Sequence, residues 1–137
     1  MGRSPLMKLL LDTHIWIWSV LEPTRLSRRV ARAIDNAENQ LWLSPISVWE
    51  LLMLTQKGRV QLDEGAVSWA QRTVEQLQLH EAPLTFEVAL ETATLSLAHS
   101  DPSDRLIAAS AKVFDLTLVT ADEKLIAAQG VKVLPNR

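Results

Sequence analysis

The sequence predicts a three-layer α/β/α domain built on a central five-stranded parallel sheet. Short apolar runs alternate with amphipathic stretches along the chain, and parallel strands need helical crossovers of this kind. The 137 residues, 47% of them hydrophobic, suit one domain that buries roughly two-thirds of the surface its unfolded chain exposes. There is no internal repeat, low-complexity segment or Gly/Ser-rich linker, so we expect residues 1–137 to form a single domain. Residues 1–6 would be an extension if Met7 is the natural start.

Five short runs are predicted to be strands. The first, "MKLLLD", is continuously apolar and ends at an acid, as is typical of a central strand covered on both faces. The others are, in order, "QLWLS", the weaker "LHEAP", "LTLVT" and "VKVLP".

Seven stretches between and after these strands are predicted to be helical. Pro23 ends the first of them, Ser44 and Pro45 open the third, and Gly58 stops it. In the fourth, Val67, Ala70, Val74 and Leu77 share one face. The seven are "THIWIWSVLE", "LSRRVARAIDNAEN", "SPISVWELLMLTQKG", "DEGAVSWAQRTVEQLQ", "TFEVALETATLSLAHS", "DRLIAASAKVFD" and "DEKLIAAQG".

Composition excludes several classes of protein. Without cysteine there is no disulfide framework, thiolate zinc site or cysteine nucleophile, which suits a reducing cytoplasm. A net charge of −2, from 14 basic and 16 acidic residues, excludes a strongly basic coat for nucleic acid. It does not exclude a nucleic-acid substrate, because bound metal ions change the local sign of an acidic site. No apolar run approaches the roughly 20 residues that span a bilayer, and the N-terminus lacks the pattern of a signal peptide.

Acidic residues fall where parallel strands end. Asp12 closes the first strand, Asp122 follows the fourth, and Asp104 opens the helix that leads into the fourth. Since sites in such sheets lie outside the carboxyl ends of the strands, we expect these side chains to meet there.

Glu50 adds the most informative acid. It lies in the apolar stretch "VWELLML", and a buried, unpaired carboxylate costs several kcal/mol or takes up a proton. A bound cation is one solution, and Mg²⁺ and Mn²⁺ prefer carboxylate oxygens. An ion pair with Arg105 is another, and partial exposure to solvent is a third. Taken singly, Asp12 is explained equally well as a helix cap, and Asp104 and Asp122 are explained better as caps than as metal ligands.

Taken together, four motifs resemble those of PIN-domain proteins. "LLLDTHIWIW", "SPISVWELLML", "HSDPSDRLIAASA" and "LVTADEKL" occur in the family's order and spacing, from Met7 to about Leu134. The chain looks most like the VapC-type toxins of bacterial toxin–antitoxin pairs.

The resemblance implies a ribonuclease that depends on Mg²⁺ or Mn²⁺. Its metal-binding, catalytic acids would be Asp12, Glu50, Asp104 and Asp122. It also implies an RNA substrate, an antitoxin partner, a homodimer and a cytoplasmic location. Secondary candidates beside the acids are Asp101, Thr13, Thr120, His14, His99 and Arg105.

Two further patterns have open interpretations. Arg25, Arg28, Arg29 and Arg32 have the spacing of one helical face, which suits either a track for RNA phosphates or a solvated surface. The tryptophans lie at apolar spacings and are first interpreted as core residues, although Trp16 or Trp18 would also suit a dimer or antitoxin surface.

Two alternatives to the ribonuclease are a receiver- or phosphatase-like domain with an acidic pocket, and a non-enzymatic module that binds RNA or metal. "LLLDTH" lacks the second acid of a D-x-D phosphatase motif, and no lysine directly follows the fourth strand, which disfavours the first of these.

Overall fold

The computed structural model describes residues 5–97 and 101–137, in which five strands combine with seven α-helices. The strands are β1 (Lys8–Leu11), β2 (Gln40–Leu43), β3 (His80–Glu81), β4 (Thr117–Thr120) and β5 (Val133–Pro135). The helices are α1 (Thr13–Leu21), α2 (Arg28–Asp35), α3 (Pro45–Gln56), α4 (Ala66–Gln76), α5 (Phe86–Glu91), α6 (Pro102–Val113) and α7 (Glu123–Ile126). Short 3-10 turns follow α1 at Pro23–Arg25 and α5 at Thr92–Thr94.

All five strands are parallel and lie in the order β3-β2-β1-β4-β5, which confirms the predicted sheet. The central strand β1 pairs with β2 on one side and with β4 on the other, so that Leu10 lies between Trp42 and Leu118. The chain first builds outward from β1 to β3 and then crosses to β4. The strand order therefore reverses between β1 and β4, where a crevice forms at the carboxyl ends of the two strands.

Two apolar clusters cover the two faces of the sheet and complete the three layers. Leu9 and Leu11 belong to the cluster that holds Trp16, whereas Leu10 belongs to the one that holds Ile107. Successive side chains of a strand point to opposite faces, so β1 is buried on both sides, as its continuous apolar run predicts.

Two helix predictions were wrong in detail. The stretch predicted as a helix from residue 85 to residue 100 forms α5 only as far as Glu91, and its last residues, 98–100, lie outside the described ranges. The hydroxyls of Thr92 and Thr94 donate to the carbonyls of Ala89 and Glu91, and such local bonds compete with a continued helix.

The second error concerns the buried face of α4. Val67 is 59% exposed, while Trp69, Ala70 and Thr73 are buried. The indole of Trp69 packs beside Trp16, with ring centroids 5.2 Å apart. The larger aromatic side chain takes the core position and turns Val67 outward.

None of the helices within residues 5–97 and 101–137 has the length and apolar character needed to cross a membrane.

Candidate active site

Asp12 is fixed at the carboxyl end of β1 through both of its side-chain oxygens. Oδ1 accepts a hydrogen bond from the Thr13 backbone N–H over 2.8 Å, which caps α1. Oδ2 accepts one from the Thr120 hydroxyl over 2.7 Å. Thr120 is the last residue of β4, so Asp12 caps a helix and also lies at the crevice between β1 and β4.

Glu50 approaches the same place from α3. The Thr13 hydroxyl donates to its Oε1, and the Ser103 hydroxyl donates to its Oε2 over 3.1 Å. Thr13 Oγ1 also lies 2.8 Å from Ser47 Oγ, one turn before Glu50 on α3. These buried hydroxyls tie the starts of α1 and α6 to the half-buried carboxylate.

The Glu50–Arg105 ion pair is not formed. The Arg105 guanidinium instead donates to the Leu97 carbonyl over 3.5 Å. Arg105 therefore stays a candidate only as a residue of the "HSDPSDRLIAAS" motif. The partners of the Glu50 carboxylate are the hydroxyls of Thr13 and Ser103 and not the guanidinium of Arg105.

Asp101, and not Asp104, caps α6. Its Oδ1 accepts from the Asp104 backbone N–H over 2.8 Å and from the Ser103 hydroxyl over 3.0 Å. Asp104 is the third residue of the helix, so its interpretation as a cap was wrong. Its carboxylate is consequently not used in closing the helix end.

Asp122 lies past β4 and caps α7, since its Oδ1 accepts from the Lys124 backbone N–H over 2.8 Å. Its own backbone N–H donates to Thr120 Oγ1 over 3.0 Å. The Thr120 hydroxyl therefore donates to Asp12 and accepts from Asp122, which fixes the two acids relative to each other.

The carboxylates share one electrostatic environment. Burial, and after it the negative charges of four neighbouring acids, together raise the pKa of Asp104 to about 7. These neighbours are Asp101, Asp12, Asp122 and Glu50. Repulsion of this kind indicates that the acids predicted from separate motifs come close to Asp104.

The pKa of Asp12 is also raised, chiefly by burial. Hydrogen bonds from Thr120 and Thr13 and the nearby His14 act in the opposite direction, while the charge of Glu50 adds to the rise. None of the ion pairs that the structure shows between residues of the described ranges involves Asp12, Glu50, Asp101, Asp104 or Asp122.

The chemistry of these donors fits a hard divalent cation. Carboxylate oxygens are the protein ligands that Mg²⁺ and Mn²⁺ prefer, and such ions keep several waters as further ligands. Within residues 5–97 and 101–137, however, no three histidine or acidic side chains are already arranged to hold one ion. Charge and donor type thus fit the cation, while the ligand set itself stays a prediction.

The histidines differ in what the structure shows of them. His14 is exposed, lies 5.7 Å from the Trp18 ring between centroids, and lowers the pKa of Asp12 through its charge. It is therefore close to the acids. His99 lies outside the described residues.

Sequence reasoning missed two serines of this hydroxyl network: Ser103, which donates to Glu50, and Ser47, which contacts Thr13. Ser47 precedes Glu50 by three residues, a spacing that places both on one side of α3. Ser103 lies between the two aspartates of the α6 motif. Both are buried, and small hydroxyl residues within an acidic motif were the available signal.

Two surface features also differ from expectation. Trp16 and Trp69 are core residues as predicted, but Trp49 is 54% exposed.

The four arginines do not share one helix, since α2 begins at Arg28 and Arg25 lies in the preceding turn. Arg25 forms an ion pair with Glu22, and its Cζ lies 4.1 Å from the centroid of the Trp18 ring.

Known proteins match nearly the whole chain. The model of the PIN domain family matches residues 9–131. Ribonuclease VapC22 of Mycobacterium tuberculosis (strain ATCC 25618 / H37Rv) is 37% identical over 118 residues, which cover 85% of this chain and 88% of that protein.

Solved structures share the fold. FitAcB from Neisseria gonorrhoeae is 28% identical, with a TM-score of 0.65, and the match covers 93% of this chain and 97% of that chain. VapBC2 from Rickettsia felis, bound to a DNA fragment from its promoter, gives a TM-score of 0.72 at 18% identity and covers 94% and 98% of the two chains. The family match excludes the receiver-like alternative. With the sheet order and the motif positions in agreement, the chain belongs to the PIN domain family.

Proposed function

We propose that this chain is an endoribonuclease that depends on Mg²⁺ or Mn²⁺ and acts as the toxin of a toxin–antitoxin pair. The observation that carries the proposal is the hydrogen-bonded cluster of acids: the Thr120 hydroxyl joins Asp12 to Asp122, and the Ser103 hydroxyl joins Glu50 to Asp101. Among the described residues these acids have no cation as an ion-pair partner, which favours a site that binds positive charge. The relative at 37% identity, a ribonuclease by name, supports RNA as the substrate.

Asp12, Glu50, Asp104 and Asp122 would hold the cation. When bound, a divalent ion lowers the pKa of water and offsets the charge that builds up on a phosphodiester during hydrolysis. The protein's own part is placement: Thr120 holds Asp12, while Thr13 and Ser103 hold Glu50.

Asp104 would also exchange a proton when the cation binds. A carboxyl group with a pKa of about 7 is partly protonated at neutral pH, so it would release a proton when a cation binds. Asp101 fixes the start of α6 and thereby the position of Asp104. Thr13, Thr120, Ser103 and Asp101 are thus positioning residues, and Asp104 belongs to the binding set.

The partners are proposed on the same basis. The similar structures include VapBC and FitAB assemblies, several of them bound to DNA. We expect an antitoxin to bind this chain as well, and we expect a homodimer. A cytoplasmic location stays a prediction.

Cleavage of RNA by the purified protein tests the proposal. Total RNA is incubated with the protein in Mg²⁺, in Mn²⁺ and in EDTA, and the new ends are mapped. We expect new ends at defined positions in either metal and none in EDTA. Binding of RNA without cleavage in either metal would instead support the non-enzymatic module, and cleavage that persists in EDTA would contradict metal dependence.

A further inference from the structure

A groove of about 640 Å³ runs between α3 and α6 and begins at the acidic site. Its lining includes Glu50, Asp101 and Ser103 of the acidic site, and also Lys57 and Arg59, which follow the last residue of α3. The rest of the lining is mainly apolar and includes Trp49, Met53, Leu54 and Leu106. The groove thus joins the acids to a pair of cations across an apolar floor.

Trp49 is the unusual residue of this groove. It is 54% exposed although it lies in an apolar stretch of α3, and it directly precedes Glu50. An indole that is exposed on a groove wall presents a flat surface to whatever enters. Nucleic-acid bases stack on such surfaces whatever their sequence, because every base has a π face.

Lys57 and Arg59 supply the positive charge of the groove. Both are exposed, and neither side chain forms an ion pair with another residue of the described ranges. Lys57 directly follows the last residue of α3 and lies seven residues beyond Glu50, a rise of about 10 Å at helical spacing. That length matches roughly three phosphates of a stacked strand, and fewer of an extended one.

We propose that this groove is the subsite for the RNA nucleotides on one side of the scissile phosphate. A base stacks on Trp49, and the following phosphates contact Lys57 and Arg59. The inference rests on the proposed nuclease function, since it assigns the substrate of that site.

Charge favours RNA over a protein segment as the occupant. A peptide in this groove needs a basic residue at the acids and an acidic residue at Lys57 and Arg59. One RNA strand meets both sets of side chains with the same group, because its phosphates face a cation held by the acids and also the two basic side chains.

Binding of a short single-stranded RNA of mixed sequence tests the proposal. Ca²⁺ replaces Mg²⁺ and Mn²⁺ throughout, so that a cation is available to the acids while the ions proposed for cleavage are absent. We expect Trp49→Ala to weaken binding about 5- to 100-fold, from the loss of one stacked base. Trp49→Phe keeps a stacking ring and should retain most of the affinity, yet it should lose the part of the RNA-induced tryptophan quenching that Trp49 contributes.

The two cations are tested by the dependence of binding on salt. Replacing Lys57 and Arg59 with alanine should reduce the slope of log K against log salt by about 1.4, since each phosphate contact of a single strand contributes about 0.7. Lys8→Ala is the matched control, because Lys8 is an exposed cation at the start of β1, away from the acids at the carboxyl end of that strand. The salt slope of this variant should equal that of the wild type. Thermal unfolding confirms that each variant folds.

Three results would overturn the proposal: no binding of this RNA by the wild type, unchanged affinity and quenching in Trp49→Ala, or an unchanged salt slope in the double variant. The second result would indicate that the groove binds a protein segment, such as part of an antitoxin, and not RNA. These outcomes are separate from the nuclease test. If Trp49→Ala cuts RNA as the wild type does, the nuclease function stands and only the subsite is contradicted. If the wild type binds RNA through Trp49 but never cuts it, the subsite stands and only the nuclease function is contradicted.

Discussion

The Thr120 hydroxyl donates a hydrogen bond to Asp12 Oδ2 over 2.7 Å and so joins the carboxyl ends of β4 and β1. Thr120 Oγ1 also accepts a hydrogen bond from the backbone N–H of Asp122 over 3.0 Å. Thr120 is fully buried. Its hydroxyl bonds Asp12, which is 108 positions earlier in the sequence, and Asp122, which is two positions later. One small side chain thereby sets the relative positions of two predicted metal ligands.

Thr120→Val should therefore lower metal affinity while preserving the fold. Valine has the same shape but leaves Asp12 Oδ2 without its donor, and losing such a partner of a ligand typically costs about 10- to 100-fold in metal affinity. Titration calorimetry with Mn²⁺ measures the change. Thr120→Ser, which keeps the hydroxyl, is the control and should bind Mn²⁺ nearly as the wild type does; equal affinity in Thr120→Val would show that the bond does not position Asp12.

Asp104 should make the metal-free protein less stable as the pH rises. Its pKa is raised to about 7 in the folded state, so the folded protein binds the proton more tightly than the unfolded chain does. The resulting stability is complete at low pH and is lost as the pH rises from about 4 through about 7. Allowing for the partial exposure of the group, the loss is roughly 1–2 kcal/mol. Asp12, whose pKa is raised as well, acts in the same direction.

Urea unfolding in EDTA across this pH range measures the effect. Asp104→Asn cannot ionise, so it should flatten the decline and should be more stable than the wild type near pH 8. A decline of the same size in both proteins would show that other groups cause it. Adding Mn²⁺ should stabilise the wild type more than the variant, since binding to the folded state alone raises its stability.

The role of Asp101 is separated by two substitutions. Asparagine is as good a helix cap as aspartate, so Asp101→Asn should keep α6 and the position of Asp104 while removing one negative charge. Asp101→Ala also loses the cap and should cost about 1 kcal/mol of unfolding free energy. If Asp101 only positions Asp104, RNA cleavage by the asparagine variant should stay close to that of the wild type; a loss as large as that of Asp104→Asn would place Asp101 among the metal ligands.

The exposed arginines of α2 provide a separate test of the RNA track. Arg28, Arg29 and Arg32 form no ion pair with other residues of the described ranges. If they contact phosphates, the combined Arg28→Ala and Arg29→Ala change should weaken RNA binding and reduce its salt slope by about 1.4. The same slope in variant and wild type would identify a solvated surface.

The sheet could be predicted from the sequence because its signals are local. The continuous apolar run of β1, the proline at the start of α3 and the acids that follow β1 and β4 fix the elements and their ends. A parallel sheet then brings Asp12 and Asp122 to one edge. Nothing further was needed to expect an acidic site there.

The partners of these acids could not be predicted, because they depend on how distant elements pack. Ser103 reaches Glu50 across 53 positions of sequence, and Arg105 turns away from it toward Leu97. The exposure of Trp49 likewise follows from the groove that α3 and α6 leave between them. The choice of Asp101 over Asp104 as the cap of α6, by contrast, was available in the sequence, because a capping residue directly before Pro102 repeats the pattern of Ser44 and Pro45.

The rate of RNA cleavage by Asp104→Asn at saturating Mn²⁺ tests the central claim most directly. The claim is that the acids brought together at β1, α3, α6 and β4 bind the metal that cuts RNA. The variant should fold and should cleave more slowly than the wild type by more than the roughly 100-fold that losing a mere partner of a metal ligand costs. Cleavage at the wild-type rate, by a variant that lacks the Asp104 carboxylate, would contradict the account.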